Sequence, residues 1–451
     1  MALTFFGTDG IRGRANHYPL TPEMTVRIGQ AVGRFFSRPN ARSAIIIGRD
    51  TRISGPMLEA AMSAGICAAG TDVRQAGMLP TPAVALLTRK YGAAAGVVIS
   101  ASHNPYEDNG IKLFGPDGYK LSETQEAEIE TMILAAADDR EHRREKPIGI
   151  VDRIETAAED YLVFLRGAMP AHFLLNGYRI VIDCANGATS NTARRLLETW
   201  EPDLVVLHDK PNGTNINRDC GSEHTDALRQ AVIEEKADLG VAFDGDGDRM
   251  IAIDETGRIL SGDQILAIGA RFLKGQGQLA NNRVISTVMS NLGLKEALQA
   301  MGIEHEICGV GDRLVMKAMR HSGAVLGGED SGHMIYLQHH STGDGLISAL
   351  KLLEAMQSSN RPLSELGRLM RPYPQVLVNV PVREKPDLKG VEGVQRAIEA
   401  VEARLGERGR VLVRYSGTQS ICRVMVEGPD EKEVGACCHA VAEAVAKAIG
   451  A

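Results

Sequence analysis

The sequence predicts an α/β fold of three successive domains with mixed, mostly parallel sheets, followed by a smaller C-terminal α+β domain. The length of 451 residues leaves room for about three domains of ordinary size. A short apolar strand, a loop rich in glycine or asparagine and then a helix recur three times along the chain. This order is the opening of a βα unit. After Pro372 the pattern changes to short strands that alternate with helices, which is typical of an α+β domain.

The three repeats each begin with a strand and continue into a helix. The expected strands are Ala44–Ile47, Arg179–Ile182 and Val284–Val288, and the helices that follow are Met57–Ala69, one that runs through Trp200 and one that runs through Met301. In the last domain we expect strands at Val376–Val380, Arg410–Arg414 and Cys422–Val426, a helix over Val391–Leu405 and a final Ala-rich helix.

The domain boundaries are predicted from the elements between the repeats. A helix over Arg153–Leu165 is expected to begin the second domain, after the charged stretch Asp138–Lys146, which we interpret as a solvated surface segment. The turn Asp254-Glu255-Thr256-Gly257 is expected to close that domain. We therefore predict domains over residues 1–152, 153–257, 258–370 and 371–451.

The composition excludes several classes of protein. A net charge of −7 and an isoelectric point near 6.0 argue against a nucleic-acid or membrane-surface protein. The seven cysteines are scattered, odd in number and form no C-x-x-C pair, so reduced thiols fit better than a disulfide framework. The N-terminus lacks the basic and apolar regions of a signal peptide, and no apolar run has the length of a membrane span. We expect a soluble cytoplasmic protein.

The stretch Phe243–Arg249 is the most informative part of the chain. Asp244, Asp246 and Asp248 follow an apolar run that is predicted to be a buried strand, and two glycines separate them. In an extended backbone these carboxylates point to one side, and the glycines leave room for the loop to close around an ion. Carboxylate oxygens are the ligands that Mg²⁺ or Mn²⁺ prefers. We predict a three-aspartate magnesium site with Arg249 beside it.

An EF-hand calcium loop is one alternative to this metal site. The aspartates fit the first, third and fifth positions of an EF-hand loop, and Glu255 fits the twelfth. The sixth position, however, must be glycine and is Arg249 here, and the preceding element is a strand rather than a helix. A solvated acidic turn is the second alternative.

The run Gly96–Pro105 is a predicted strand that ends in a polar loop containing Ser102 and His103. A serine-hydrolase reading is disfavoured because adjacent residues on an extended chain point to opposite sides, so His103 is poorly placed to deprotonate Ser102. No G-x-S-x-G elbow is present either. Lys112 follows after another tight turn. A polar turn is a credible interpretation of the loop taken alone. A serine beside a lysine and a metal site, however, fits a phosphoryl carrier.

Other glycine-containing loops carry polar groups. Phe6–Gly13 places glycines around Asp9 and Arg12, and Gly48–Gly55 is similar, although either could be a structural turn with a surface ion pair. The loop over 327–333 offers a carboxylate, a hydroxyl and an imidazole, which suits hydrogen bonding to sugar hydroxyls. Near the C-terminus, Arg414–Gln419 and the following Arg423 have the composition of a phosphate cradle.

Taken together, these segments resemble the α-D-phosphohexomutase superfamily over essentially the whole chain. The serine loop (100–105), the metal loop (244–249), the sugar loop (328–333) and the phosphate loop (414–418) of that family all occur here in order. Five further stretches are similar to the bacterial branch that acts on glucosamine phosphate: 6–14, 183–189, 215–217, 310–313 and 423–428. Two departures are Gln419-Ser420, where the family usually has Glu-Pro, and Asp330, where a neutral residue is common.

The resemblance implies an intramolecular phosphotransferase that interconverts glucosamine 6-phosphate and glucosamine 1-phosphate. It makes Ser102 a phosphoserine that passes its phosphoryl group to the sugar, with glucosamine 1,6-bisphosphate as intermediate and primer. One Mg²⁺ per chain would be held by Ser102, Asp244, Asp246 and Asp248. Arg12, Ser102, His103 and Lys112 would be catalytic, and His103 or Lys112 would transfer the proton of the sugar hydroxyl. The residues implied in substrate binding are Arg249, Glu329, Ser331, His333, Arg414, Ser416, Gly417, Thr418 and Arg423.

The resemblance also implies a central cleft with the last domain as its lid, and a role in supplying amino-sugar nucleotide and cell-wall precursors. A homodimer is compatible with it, as is priming of Ser102 by a protein kinase or by autophosphorylation. A phosphomannomutase or phosphoglucomutase is the alternative enzyme. A catalytically silent sugar-phosphate-binding protein is the alternative from another class, and the intact Ser102 and aspartates argue against it.

Overall fold

The computed structural model describes residues 4–7, 9–37, 42–135, 148–416 and 420–451. It divides into two compact units, of which the first comprises Met1–Met289 and Ile303–Leu369 and the second Ser290–Gly302 and Met370–Ala451. The predicted surface segment Asp138–Lys146 lies outside the described residues. The four-domain division stays a prediction.

The first sheet of the first unit has the strand order β1-β2-β6-β5-β3-β4-β7. Strands β5, β3, β4 and β7 run parallel, and β1, β2 and β6 complete the other side with antiparallel pairs. The elements are β1 (Phe6–Gly7), β2 (Gly10–Arg14), α1 (Pro22–Phe35), β3 (Ala44–Arg49), α2 (Gly55–Ala68), β4 (Asp72–Met78), α3 (Thr81–Lys90), β5 (Ala95–Ile99), β6 (Asp108–Phe114), α4 (Glu123–Ala135) and β7 (Val151–Arg153). Strand β5 is buried at every residue, which explains its unbroken apolar sequence.

The helix predicted over Arg153–Leu165 begins later than expected, and its prediction is wrong at the N-terminal end. Residues Val151–Arg153 form β7, which pairs with β4 in parallel through Val73 and Gln75. The helix α5 covers Ala157–Gly167. The backbone before α5 pairs with the sheet instead of forming helix. The sequence does not indicate this, because a strand of three exposed residues has no alternating apolar pattern.

The second sheet has the order β12-β11-β10-β8-β9, in which β10, β8 and β9 are parallel and β11 and β12 are antiparallel. Its elements are β8 (Arg179–Asp183), α6 (Ala193–Leu197), β9 (Asp203–Leu207), α7 (Asp226–Glu234), β10 (Leu239–Phe243), β11 (Met250–Asp254) and β12 (Ile259–Leu260). The helix expected through Trp200 is broken, since 3-10 turns at Ala188–Asn191 and Glu198–Trp200 flank the short α6. The β10–β11 hairpin carries the metal loop.

The third sheet has the order β14-β13-β15-β16, and only its β15–β16 pair is antiparallel among the described strands. Its elements are α8 (Gly262–Gly275), β13 (Arg283–Thr287), β14 (Glu304–Cys308), α10 (Asp312–Ser322), β15 (Leu326–Gly328), β16 (Met334–Tyr336), α11 (Gly345–Ser359) and α12 (Leu363–Leu366). Helix α9 (Leu292–Ala300) follows β13 in sequence and belongs to the second unit. The β15–β16 connection carries the sugar loop.

The second unit is built on an antiparallel sheet of order β17-β19-β18. Its elements are β17 (Gln375–Pro381), α13 (Glu392–Leu405), β18 (Arg410–Tyr415), β19 (Ile421–Glu427) and α14 (Glu431–Ile449). Val424 and Val426 of β19 pack with Val434, Cys438 and Val441 of α14 in its core. The predicted fold class, α/β with mixed sheets and a smaller C-terminal α+β domain, is confirmed. Within the described residues, no helix has both the length and the apolar character that a membrane crossing requires.

Candidate active site

The serine loop follows β5 and places Ser102 against the metal loop. Ser102 is buried, with 1% of its surface exposed, and its φ of 53° lies in the left-handed region. Its Oγ donates a hydrogen bond to Asp244 Oδ2 at 2.6 Å. The structure therefore brings the predicted carrier oxygen directly to the predicted metal ligands, although the two lie 142 positions apart in the sequence.

The expectation that His103 is poorly placed relative to Ser102 is wrong. Its Nδ1 lies 3.3 Å from Ser102 Oγ, because the left-handed φ of Ser102 turns the chain that we had assumed to be extended. Arg249 Nη1 lies 3.1 Å from the same Nδ1 and can only donate, so Nδ1 is an acceptor. Burial, together with the positive charges of Arg249 and Arg12, lowers the pKa of His103 to about 4. The imidazole is neutral at pH 7.

The three aspartates of the metal loop converge as predicted, but by a different backbone path. Asp244, Asp246 and Asp248 are buried, and one oxygen of each lies within 4.8 Å of the others. The loop is a turn rather than an extended strand, closed by a hydrogen bond from Gly247 N–H to Asp244 O at 3.1 Å. Gly247 has a φ of 72°, and a Cβ on Gly245 would lie 2.6 Å from Ser102 O. Both glycines are required by this geometry.

The carboxylates fit a hard divalent cation. Asp246 Oδ1 and Asp248 Oδ1 are buried and have no hydrogen-bond partner within the described residues. Burial, and then repulsion from Asp248 and Asp246, raises the pKa of Asp244 well above its usual value. Unpaired buried carboxylate oxygens are unfavourable in a protein interior. An ion such as Mg²⁺, which prefers oxygen ligands, would satisfy them.

Lys112 is the principal cation beside the three aspartates. It is buried, and its Nζ lies 2.8 Å from Asp246 Oδ2, 3.1 Å from Asp9 Oδ2 and 3.4 Å from Asp248 Oδ2. Burial alone would lower the pKa of Lys112, but these carboxylates together raise it well above its usual value. The ammonium group is therefore charged and partly compensates the acidic loop.

Several residues of this site were not assigned a role from the sequence. Asp9 forms an ion pair with Arg12, whose Nη1 also donates to Ala101 O of the serine loop at 3.4 Å. Lys120 bridges Asp9 and Asp312, with its Nζ 2.5 Å from Asp312 Oδ2. Thr81 Oγ1 donates to Asp246 Oδ2 as well. Asp9 stands beside Arg12 in the sequence, and Asp312 lies in the stretch 310–313 that contributes to the resemblance without a role of its own. Thr81 and Lys120 stand in segments that carry no chemical signal.

The sugar loop packs against the C-terminal end of the metal loop, where Met250 N–H donates to Gly332 O at 3.1 Å. Gly332 has a φ of 88°, and a Cβ there would lie 2.2 Å from Met250 O, so this close approach requires glycine. His333 is buried, with its Nδ1 3.6 Å from Asp248 Oδ1 and its Nε2 3.9 Å from Asp312 Oδ2. Glu329 accepts a hydrogen bond from Gly311 N–H at 3.0 Å. Burial raises its pKa. Ser331 is half-buried on the same turn.

The phosphate loop belongs to the second unit. Arg414 of β18 and Arg423 of β19 are directly opposite each other in the antiparallel pair. Like charges in this position repel, so the pair favours an anion between or above the two guanidinium groups. Arg423 Nε is buried without a hydrogen-bond partner among the described residues. Ser416 N–H donates to Ile421 O at 2.9 Å. Gly417 and Thr418, and the departure at Gln419, lie outside the described residues.

Comparison with known proteins identifies the family. Profiles of the phosphoglucomutase/phosphomannomutase α/β/α domains I, II and III match residues 4–140, 164–257 and 261–373, and the profile of the C-terminal domain matches residues 377–444. A phosphoglucosamine mutase from Syntrophobacter fumaroxidans is 50% identical over 450 residues, which cover 99% of this chain and 100% of that protein. The chain belongs to the phosphohexomutase superfamily. The membership and the enzyme class predicted from the sequence, an intramolecular phosphotransferase, are confirmed.

Solved structures show the same fold for this phosphohexomutase. A phosphoglucomutase/phosphomannomutase family protein from Burkholderia thailandensis matches with a TM-score of 0.82 and 24% identity, over 99% of this chain and 98% of that one. The N-acetylphosphoglucosamine mutase of Aspergillus fumigatus, in complex with GlcNAc-6P and magnesium, matches with a TM-score of 0.66 and 18% identity, over 99% and 96% of the two chains.

Proposed function

We propose that this phosphohexomutase interconverts glucosamine 6-phosphate and glucosamine 1-phosphate through a phosphorylated Ser102 and a glucosamine 1,6-bisphosphate intermediate. The observation that carries the proposal is the placement of Ser102 Oγ 2.6 Å from Asp244, at the edge of three buried aspartates. A carrier hydroxyl at a cation site is what phosphoryl transfer requires, because that reaction depends on positioning and on stabilising the charge of the phosphoryl oxygens.

The choice of sugar is supported by the relatives. Phosphoglucosamine mutases from Syntrophobacter fumaroxidans, Syntrophus aciditrophicus, Syntrophotalea carbinolica and Desulforapulum autotrophicum are 46% to 50% identical to this chain over nearly its full length. Identity at this level over the whole length favours the same amino sugar. Its product would feed amino-sugar nucleotide and cell-wall precursor synthesis.

In the first transfer, the bond between phosphorus and Ser102 Oγ breaks and a bond to the sugar hydroxyl oxygen forms. The hydroxyl proton passes to the neutral imidazole of His103, which lies beside Ser102. Lys112, whose ammonium group is already charged, would instead act as a cation beside the metal loop or as the acid that returns a proton. Arg12 and Arg249 surround the same position and would bind the equatorial oxygens of the phosphoryl group. In the second transfer, the bond between the other phosphorus of the bisphosphate and its sugar oxygen breaks, Ser102 Oγ takes that phosphoryl group, and the released sugar oxygen takes back the proton.

Asp244, Asp246 and Asp248, with an oxygen of phosphorylated Ser102, would hold one Mg²⁺. When bound, this ion would neutralise the charge that develops on the transferred phosphoryl group. The protein contributes the remaining positive charge. Three aspartates, Mg²⁺ and a phosphoserine carry about −3 in total before a substrate dianion arrives. Lys112, Arg12 and Arg249 are needed to make that encounter favourable.

Recognition of the rest of the substrate is divided between two loops in this proposal. Arg414 and Arg423, with Ser416, Gly417 and Thr418, bind the phosphate that is not being transferred. Glu329, Ser331 and His333 bind sugar hydroxyls. The free bisphosphate is also proposed to prime Ser102, with a protein kinase or autophosphorylation as the other routes. A cytoplasmic location and a homodimer complete the proposal.

A phosphomannomutase or phosphoglucomutase is the second candidate, and the description of the matching domain profiles favours it. The two candidates differ in the group at carbon 2 of the sugar. The decisive experiment compares the turnover of glucosamine, glucose and mannose 1-phosphates by the purified Mg²⁺-loaded protein. We expect kcat/KM to be highest for glucosamine 1-phosphate. A higher value for glucose or mannose 1-phosphate would replace the proposed substrate.

A further inference from the structure

Arg52 is a fully buried arginine whose guanidinium binds the backbone of the serine loop. Its Nη2 donates to Ser102 O at 2.9 Å and to Asn104 O at 2.8 Å. Its Nη1 donates to Asp108 O at 3.0 Å and also to Pro105 O. The side chain has no exposed surface and lies on the segment before α2 that sequence reasoning could not separate from a surface ion pair. One planar group therefore ties together three carbonyls of the serine loop and that of Asp108, the first residue of β6.

Asp50 compensates the buried charge of Arg52 and extends the same network to the other side of Ser102. Asp50 Oδ2 accepts hydrogen bonds from Arg52 Nε at 2.8 Å and from Ser100 Oγ at 2.6 Å. Ser100 Oγ in turn accepts from Ser102 N–H at 2.9 Å. Both the N–H and the C=O of Ser102 are therefore fixed by groups that connect to the Asp50–Arg52 pair.

Asn217 approaches the same carbonyls from the loops of the second sheet. Its Nδ2 donates to Ser102 O at 2.8 Å and to Asn104 O at 2.9 Å. Its own φ of 56° is left-handed, and its N–H donates to Ala185 O at 2.9 Å. Ser102 O thus receives two side-chain donors, one from each of two neighbouring sheets.

We propose that Arg52 is a positioning residue that holds Ser102 in its left-handed conformation with Oγ directed at Asp244. Asp50 compensates the charge of Arg52, and Asn217 donates to the same carbonyls. This inference rests on the proposed phosphoryl-carrier function of Ser102. A left-handed conformation is strained for a residue other than glycine and persists only when its surroundings impose it. Without these donors the loop would relax, and Oγ would move away from the aspartates.

The experiment compares three single variants of the full chain. Arg52→Lys keeps a positive charge beside Asp50, but one ammonium group cannot reach four carbonyls as a guanidinium does. Asn217→Gly removes the amide donor and tolerates the positive φ. Arg49→Lys is the matched control, because Arg49 lies on the same segment and pairs with Glu59 at 3.0 Å instead of with the serine loop.

For Arg52→Lys we expect kcat to fall about 100-fold, the scale on which a displacement of about 1 Å acts, with KM changed less than about threefold. Asn217→Gly should lower kcat in the same way but less, and the double variant should lose less than the product of the two effects, since both donate to the same carbonyls. Arg49→Lys should keep wild-type kcat. A purely structural role would instead lower the melting temperature and leave kcat per folded molecule unchanged.

A second readout separates this proposal from the choice of sugar. Unphosphorylated protein is mixed with glucose 1,6-bisphosphate, and transfer to Ser102 is followed by intact mass. In this step a phosphorus–oxygen bond of the bisphosphate breaks, Ser102 Oγ takes the phosphoryl group, and the Oγ proton ends on the released sugar hydroxyl. We expect Arg52→Lys and Asn217→Gly to be phosphorylated more slowly than wild type and Arg49→Lys at the wild-type rate.

Two outcomes would overturn the positioning role. The first is wild-type phosphorylation rates in both Arg52→Lys and Asn217→Gly. The second is a rise in KM without a fall in kcat. If Arg52→Lys does not fold, Asn217→Gly alone decides. Wild-type protein that is phosphorylated at Ser102 but does not convert glucosamine phosphates would refute the proposed substrate and leave the positioning test intact.

Discussion

Removing the charge of Asp246 should have little effect on the metal-free protein and a large effect on its response to Mg²⁺. Unit charges within 4.8 Å repel by at least about 3.5 kcal/mol at an effective dielectric constant of about 20. Asp246 takes part in two such pairs, with Asp244 and Asp248, which amounts to at least about 7 kcal/mol of repulsion. Its attraction to Lys112 Nζ at 2.8 Å is about 6 kcal/mol on the same scale. The two terms have opposite signs and similar sizes, so Asp246→Asn should change the free energy of unfolding of the metal-free protein by much less than either term alone.

The assay is denaturant unfolding in EDTA and in Mg²⁺ at about 100 times its dissociation constant for the wild type. Bound Mg²⁺ should stabilise the wild-type protein by about 2.7 kcal/mol. The Asp246→Asn protein should gain much less, because one of its three carboxylate ligands is neutral. Asp152→Asn, which removes an exposed aspartate elsewhere, should show the full wild-type gain. An equal Mg²⁺-dependent gain in Asp246→Asn and wild type would refute the assignment of this loop as the metal site.

Three further predictions concern the phosphate loop, the sugar loop and a buried histidine. Arg423→Ala should raise KM about 10-fold or more for every phosphosugar, because a charged hydrogen bond contributes about 1.5–3 kcal/mol. Lys389→Ala, the control, should leave KM unchanged. A changed sugar preference at constant KM in Arg423→Ala would contradict the prediction. Glu329→Ala should lower kcat about 100-fold in steady-state kinetics by misplacing the ring, and an unchanged kcat would argue against hydroxyl binding. Burial, and then the positive charge of Arg89, lowers the pKa of His340 from 6.5 to about 3, so the folded state binds this proton less tightly than the unfolded chain. The contribution of His340 to stability should therefore fall by about 2 kcal/mol between pH 6.5 and pH 5. It is measured as the difference between the pH dependence of urea unfolding in the wild type and in His340→Phe.

The metal site could be predicted from the sequence because its three carboxylates fall within five consecutive residues, Asp244–Asp248. Their convergence does not depend on how the sheets assemble. The prediction of an extended backbone for this loop is wrong, because the loop is a turn. The sequence did not distinguish the two, since an extended strand and a glycine-closed turn both bring these three carboxylates together. The positive φ of Gly247 decides between them.

The relation between Ser102 and His103 could not be predicted from neighbouring residues. A serine carries no local signal for a left-handed φ, and the contacts that accompany it come from Arg52 and Asn217, which are 50 and 115 positions away. The start of α5 was predicted wrongly for a similar reason. The pairing of β7 with β4 depends on residues nearly 80 positions earlier in the chain.

The cations and acids around the metal loop were only partly found. Lys112 and Arg12 stand beside recognisable loops in the sequence, and the family resemblance assigned them to the site. Lys120, Asp312 and Thr81 join the site because three sheets place their loops together, which no single segment reveals. The fold class was accessible because each βα repeat is a local pattern, whereas these contacts are long-range.

The most direct test of the account is whether Ser102 carries the phosphoryl group during turnover. Intact-mass and peptide analysis of the active protein, before and after mixing with a hexose 1,6-bisphosphate, should find one added phosphoryl group on Ser102. Ser102→Ala should neither acquire that group nor convert glucosamine phosphates, while it keeps the wild-type fold. Removal of a covalent carrier should leave far less than a tenth of the wild-type activity. A Ser102→Ala protein with activity within about tenfold of wild type would therefore contradict the central claim. So would an active wild type whose Ser102 never acquires phosphate.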